Sequence, residues 1–348
     1  MNSTMRAQQE DQKREKLKRE KPKAYEKVCK FDEKIKRGES ITILQFQFDY
    51  RCNFNCLHCS IANRLNSKRK ELQVVDVANI SKQADELGLA RWVFTGGEPL
   101  MSPNLEPFIQ AIDPTKWYIS CDSNGWFLDQ DRAIALKKMG IDRIQLSIDS
   151  LEARGHDEFR KKTGSHSRCM KAVDATLQGG LDIFIQTVVT KQRLYSAELK
   201  KFLDYFTNRD IDVFVSFAKP VGNFEGCFES MIDEEDLDYF RNMEEQYRVF
   251  SHLKPAFGMD LGCPAVKGIT TITPYGDVLG CQYTPISIGN LFMKSLKDIL
   301  ERGATIKWYG EYLPTCPPAM DRDFIERTYG KQFPIPWTEF FTQEEFIK

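Results

Sequence analysis

Cys52, Cys56 and Cys59 stand in the run Cys52-Asn53-Phe54-Asn55-Cys56-Leu57-His58-Cys59, separated by three and then two residues. Thiolates at that spacing can wrap one corner of a [4Fe–4S] cube, and three ligands leave the fourth iron open for chemistry. A zinc knuckle is the alternative. Structural zinc sites, however, come as two CxxC pairs or add histidines at fixed spacing, and they close the metal with four ligands. Here His58 lies between the last two cysteines and no second pair is near. A separate set, Cys263, Cys281 and Cys316, stands far along the chain.

The elements that must position these residues read as strand, loop and helix in repetition. The first cysteine loop follows the alternating run Ile41 to Phe48 (ITILQFQF). The pattern predicts strands over 42–48, 91–95, 117–120, 143–147, 183–189 and 213–217. Helices are expected over 76–87, 105–112, 129–138, 167–178 and 197–208. Such alternation implies parallel pairing with right-handed crossovers, and six units suit a partial barrel whose functional residues sit at the carboxyl ends of strands. Gly96-Gly97-Glu98-Pro99 follows the second strand, Ser123-Asn124-Gly125 the third, and Leu146-Ser147-Ile148-Asp149 lies on or after the fourth. Alone, the glycine-rich segment is also an ordinary strand-to-helix turn.

Taken together, the cysteine loop, the Gly96-Gly97-Glu98-Pro99 segment and the Leu146–Asp149 segment resemble the radical S-adenosylmethionine (SAM) superfamily, over roughly residues 41–316. The resemblance implies an α/β fold with an open (β/α)₆ partial barrel. It also implies a [4Fe–4S] cluster on Cys52, Cys56 and Cys59 whose open iron binds SAM, and reductive cleavage of SAM to a 5′-deoxyadenosyl radical. The electron donor it implies is a flavodoxin or ferredoxin. Gly96 and Gly97 would meet the methionine amino group, with Glu98 as acceptor, and Ser123 would lie beside the ligand. Ser147 and Asp149, two apart and so expected on one face, would bind ribose or line the substrate cavity, although Asp149 is also placed to cap the next helix. Arg160 would face the SAM carboxylate, which its forked donors suit; the other reading is a surface arginine. His58 stands where relatives carry an aromatic residue near adenine, and Thr187 and the backbone near Phe217 are further candidates for ribose and adenine.

The second set resembles an auxiliary-cluster extension of the SPASM or shorter twitch type. A hairpin turning at Pro274 to Asp277 is expected to bring Cys263 and Cys281 together, with a helix over 295–302 leading to Cys316. The expectation is a second, auxiliary [4Fe–4S] cluster on Cys263, Cys281 and Cys316, with a zinc site on the same thiols as the alternative. Cys227 is a candidate fourth ligand or hydrogen-atom donor, or else a buried small hydrophobe.

The chain has 348 residues, a formal net charge of −1, 28% charged residues and ten cysteines. The balance argues against nucleic acid as the main partner. No apolar run approaches the roughly 18 residues of a spanning helix, and the N-terminus is too polar for a secretion signal. These features point to a cytoplasmic protein whose cysteines are ligands or reactive thiols. The expected organisation is a charged segment over 1–40, frayed to about Lys21 and then helical after Pro22. A barrel over 41–255, an auxiliary domain over 256–320 and a tail over 321–348, packed as a strap over the barrel, follow. The functional expectation is a radical SAM enzyme oxidising, epimerising or rearranging a small molecule. The alternative is a maturase of a ribosomally made peptide, for which no winged-helix recognition domain is evident before the barrel, and a non-catalytic metal scaffold is the reading from another class.

Overall fold

The computed structural model describes residues 3–30, 33–34, 37, 39, 42–253 and 262–347. Phe31 and Ile35 of the expected N-terminal helix, and the expected boundaries at 40/41 and 255/256, lie outside the described residues.

Seven parallel strands form the barrel wall: β1 (Ile43–Asp49), β2 (Arg91–Gly96), β3 (Tyr118–Ser123), β4 (Arg143–Ser147), β5 (Asp182–Val189), β6 (Asp212–Phe217) and β7 (Val249–Ser251). The first six sit within a few residues of their expected places. The seventh is a three-residue edge too short for a periodicity to register. Each strand presents two chemically different faces. Leu44, Phe46, Phe48, Trp92, Phe94, Ile144 and Leu146 are buried in the apolar core. The alternate residues Gln47, Thr95, Asp122, Ser147, Gln186 and Ser216 line the barrel interior. A closed barrel would fill that space with branched apolar side chains; this open one keeps it polar.

The extension is not a separate sheet. Strand β8 (Ile269–Ile272) pairs parallel to β1, with Leu44 opposite Thr270, and then turns through Gly276 into antiparallel β9 (Asp277–Leu279). Strands β10 (Ile286–Asn290) and β11 (Ile335–Pro336) complete one sheet in the order β11-β10-β9-β8-β1-β2-β3-β4-β5-β6-β7. Gly276 takes φ +76°, a conformation that glycine adopts without steric cost. The C-terminal aromatics pack chiefly on this extension: Phe324 lies against Trp308, and Phe341 against Tyr309. Tyr329 and Phe333 reach back to the barrel: Tyr329 donates to the Pro220 carbonyl beyond β6, and Phe333 packs against Tyr50 after β1.

The charged N-terminus is ordered where a frayed segment was expected. Helix α1 (Ser3–Glu20) crosses the amino ends of the strands, and Pro22 opens α2 (Pro22–Cys29). Lys16 pairs with Asp182 at 3.2 Å, Lys13 approaches Asp212 at 3.9 Å, and buried Lys21 binds Asp142 at 2.6 Å as well as the Trp117 and Gly140 carbonyls. The helix has almost no apolar face of its own; a row of aspartates at the barrel floor holds it.

Candidate functional site

The first cysteine loop leaves the carboxyl end of β1 and is clamped by its neighbours' backbone. Leu57 N–H donates to the Phe159 carbonyl and Asn223 N–H to that of Cys59, both at 3.0 Å. Gly222 has φ +61°, and a Cβ there would sit 2.2 Å from the Cys59 carbonyl oxygen. The Gly96-Gly97 turn is explained in the same way. A Cβ on Gly96 would lie 2.2 Å from the Asp49 oxygen and one on Gly97 2.0 Å from that of Arg51, while Gly97 N–H and Glu98 N–H donate to those same two carbonyls. Their lack of side chains thus seats the turn against the strand end that carries the cysteines.

Cys52, Cys56 and Cys59 line one cavity of about 350 Å³ together with Gly96, Gly97, Glu98, Ser123, Ser147, Arg160 and His58. Glu98 is buried and accepts three hydrogen bonds, from Leu100 N–H, the Ser123 hydroxyl and Asn124 N–H, at 2.8–3.0 Å. Burial pushes its carboxyl up to about 7 against the pull of those donors. Asn124 also donates to Asn53 inside the cysteine loop, which ties the β3 turn to it.

Arg160 reaches the cavity rim with Nη1 4.0 Å from the Cys56 sulfur, and its Nε donates to Asp149 at 2.6 Å. Asp149 is placed differently from its sequence expectation. It lies past the end of β4 and outside the cavity lining, and turns back to accept from Arg160 and from Val188 N–H. The next helix is instead preceded by Glu152 at its N-cap. Burial opposes ionisation of Asp149, but Arg160, followed by His58, His156 and Arg193, holds its carboxyl well below the usual carboxylate range. His58 stacks on Phe159 with ring centroids 4.6 Å apart, and burial lowers it to about 3, so it is a neutral ring. Thr187 is turned away from the cavity and accepts from Arg193, whereas Phe217 is in the lining.

Cys263, Cys281 and Cys316 line a second cavity of about 190 Å³. Burial raises all three thiols, Cys316 to about 11. Cys227 joins neither cavity; it sits in the turn after β6, near Tyr329. Among the described residues no three His, Cys, Asp or Glu side chains converge on a single metal ion. The thiols instead stand around shared cavities, an arrangement that fits a polynuclear iron–sulfur group held from one side at each set.

Sequence reasoning missed the residues between the sets. Asp122, Gln186, Gln282 and Tyr283 border both cavities. Asp122 Oδ1 is buried without a partner among the described residues, and burial, opposed by Arg143 and Thr95, lifts the carboxyl to about 7. Lys219, after β6, is buried, lines the first cavity and lies within the field of all three thiols of the second. The alternation of Gln45, Phe46, Gln47 and Phe48 in β1 was the available signal for a polar interior. Nothing in the sequence marked Lys219.

The Radical SAM superfamily model matches residues 47–203, and the SPASM iron-sulfur cluster-binding domain model matches residues 263–316. A probable GTP 3′,8-cyclase of Methanocella arvoryzae is 27% identical over 201 residues, covering 58% of this chain; the chain spans 64% of that protein. An AdoMet-dependent heme synthase of Methanosarcina barkeri is 22% identical, over 76% of this chain and 83% of its own length. In fold the chain is similar to Streptococcus suis SuiB bound to precursor peptide SuiA, with a TM-score of 0.58 at 18% identity, covering 79% of this chain and 69% of that one. It is also similar to anSMEcpe with bound AdoMet and Cp18Cys peptide, with a TM-score of 0.56 at 18% identity, covering 75% of this chain and 80% of that one.

Proposed function

The chain is an enzyme of the radical SAM superfamily with a SPASM iron–sulfur extension, and from that premise we propose that it removes a hydrogen atom from a substrate held in the polar interior between its two cysteine sets. Cys52, Cys56 and Cys59 would hold the SAM-binding cluster, and Cys263, Cys281 and Cys316 an auxiliary one. The bound cluster and SAM supply the reducing electron and the radical; the protein supplies position and exclusion of water. The observation that carries the reading is that Asp122, Gln186, Gln282 and Tyr283 border both cavities, so a group lodged there reaches both sets.

The residues divide the work. Glu98, fixed by three donors, keeps an acceptor at the rim for the methionine amino group, and Arg160, aimed by Asp149, retains free donors for the carboxylate. Asp149 is therefore a positioning residue. His58 offers a neutral ring surface beside the cysteine loop for adenine. Gln186 and Asp122 present hydrogen-bonding groups to the substrate.

Of the two substrate classes expected, the neighbours in fold that hold peptides, SuiB with SuiA and anSMEcpe with Cp18Cys peptide, support a peptide side chain. Leu65, 55% exposed in the cavity lining, gives the mouth an apolar surface for such a chain. The names of the sequence relatives, a nucleotide cyclase and a heme synthase, support a small molecule as the second reading.

The test is anaerobic reconstitution of the wild type beside the Cys52/Cys56/Cys59→Ala triple variant. About eight irons falling to about four, with 5′-deoxyadenosine formation abolished in the variant, is the expected result. Persistent 5′-deoxyadenosine formation in the variant contradicts the central assignment.

A further inference from the structure

The two cysteine sets sit in different electrostatic surroundings. At the first, the guanidinium nearest Cys56 belongs to Arg160, which is already neutralised by Asp149 at 2.6 Å. At the second, the ammonium of Lys219 stands in the first cavity's lining against Tyr283, a residue of both cavities, within the field of Cys263, Cys281 and Cys316. It is buried at 5% exposure, and among the described residues it has no carboxylate partner. Its contacts are all neutral: it donates to the Phe217 carbonyl at 2.6 Å and to Ser216 Oγ at 3.3 Å, and lies 4.0 Å from the centroid of the Tyr283 ring. Tyr283 follows Cys281 by two residues, so this contact pins the ammonium against the ligand-bearing turn.

Burying a cation without an anion costs several kcal/mol. A cube on three thiolates supplies that anion. It carries about one net negative charge when oxidised and about two when reduced, and net charge is one of the levers on its potential. A fixed cation therefore favours the reduced form over the oxidised one.

We propose that Lys219 is the counter-charge of the auxiliary thiolate site and raises its reduction potential. This rests on the reading that Cys263, Cys281 and Cys316 hold a cluster. Arg64 provides an internal contrast. It is buried, donates to the Gln282 carbonyl at 3.2 Å, and lies within the field of both Cys59 and Cys281. Arg64 lies in the field of a thiol of each set, whereas Lys219, although it lines the first cavity, lies in the field of the auxiliary three.

The experiment is a redox titration of the reconstituted holoenzyme followed by electron paramagnetic resonance, with iron counted on every sample. Lys219→Met should lower the auxiliary potential by about tenfold in the reduction equilibrium, about 59 mV for one electron, and leave the SAM-site signal in place. Lys219→Arg should restore most of the shift, and Arg64→Gln should lower both potentials together. An unchanged auxiliary potential in Lys219→Met at wild-type iron content overturns the proposal. So does a Lys219→Met that shifts both clusters equally, or a loss of the auxiliary irons in both Lys219→Met and Lys219→Arg, which would assign the lysine to assembly. A wild type with only about four irons, falling to none in the triple cysteine variant, instead removes the underlying cluster reading, and is told apart by the iron count alone.

Discussion

Replacing Asp149 by Asn tests whether the SAM end is organised by a buried ion pair rather than by groups touching the ligand. Asn keeps the shape and can still accept from Val188 N–H, which lies 2.9 Å from Asp149 Oδ1. What disappears is the charge opposite Arg160, whose side chain is 8% exposed. Leaving one partner of a buried pair unmatched costs about 3–5 kcal/mol, and the retained backbone bond places the expectation near the lower figure, about 3 kcal/mol. The assay is urea unfolding of the cluster-free, reduced protein, so that no bound group substitutes for the lost anion. Arg160 would also lose its aim, and a charge-assisted bond of about 1.5–3 kcal/mol corresponds to a SAM affinity lower by about tenfold or more in the reconstituted protein. The double variant Asp149→Asn/Arg160→Met should regain at least half of the lost stability, because an apolar replacement removes the stranded charge. The pH dependence follows from the depressed carboxyl. Its contribution is complete above the unfolded value of about 3.9 and is lost only as pH falls towards the folded one. Between pH 5 and 8 the gap between wild type and Asp149→Asn should therefore stay level. A loss below about 1 kcal/mol, or a double variant no more stable than the single one, would refute the argument.

Two other outcomes are expected. Asp122 behaves oppositely to Asp149: burial raises its carboxyl to about 7, so the folded chain holds a proton that the unfolded chain has released, and wild-type stability falls as pH rises from about 4 to about 7. Asp122→Asn should accordingly gain on the wild type between pH 5 and pH 8 in urea unfolding, and parallel pH profiles would contradict the assigned burial. Cys227→Ala should give the wild-type product and the wild-type iron count, since Cys227 borders neither cavity; a trapped or diverted product, read by mass spectrometry, would restore it as a hydrogen donor.

The parts of the site visible in the sequence were those whose spacing is fixed by local geometry. Three thiols within eight residues must share one loop, and a glycine pair after a strand must turn. The strands were legible because apolar residues on the helix-facing side alternate with others along each of them. Local spacing says nothing about what a side chain meets across the barrel, and the errors lie there. Asp149 was read as facing the ligand because it stands two residues after Ser147, which lines the cavity, but the strand ends at Ser147 and the chain turns, which sends the carboxylate to Arg160. The first twenty residues looked unstructured because they lack an apolar face. Lys13 and Lys16 among them, and Lys21 just after, find Asp212, Asp182 and Asp142, which come from distant strand starts.

The order of residues is enough to set out the available chemistry: two cysteine sets, a turn to seat the first, and a parallel α/β scaffold. How those parts face one another came from folding. It laid β8 beside β1 and so joined the extension to the barrel's own sheet. It brought Asp122 and Gln186 to the boundary of both cavities, and buried Lys219 beside thiols that follow it by 44 to 97 residues. Charges meet there because the sheet closes space between segments remote in sequence, a relation that no local pattern encodes.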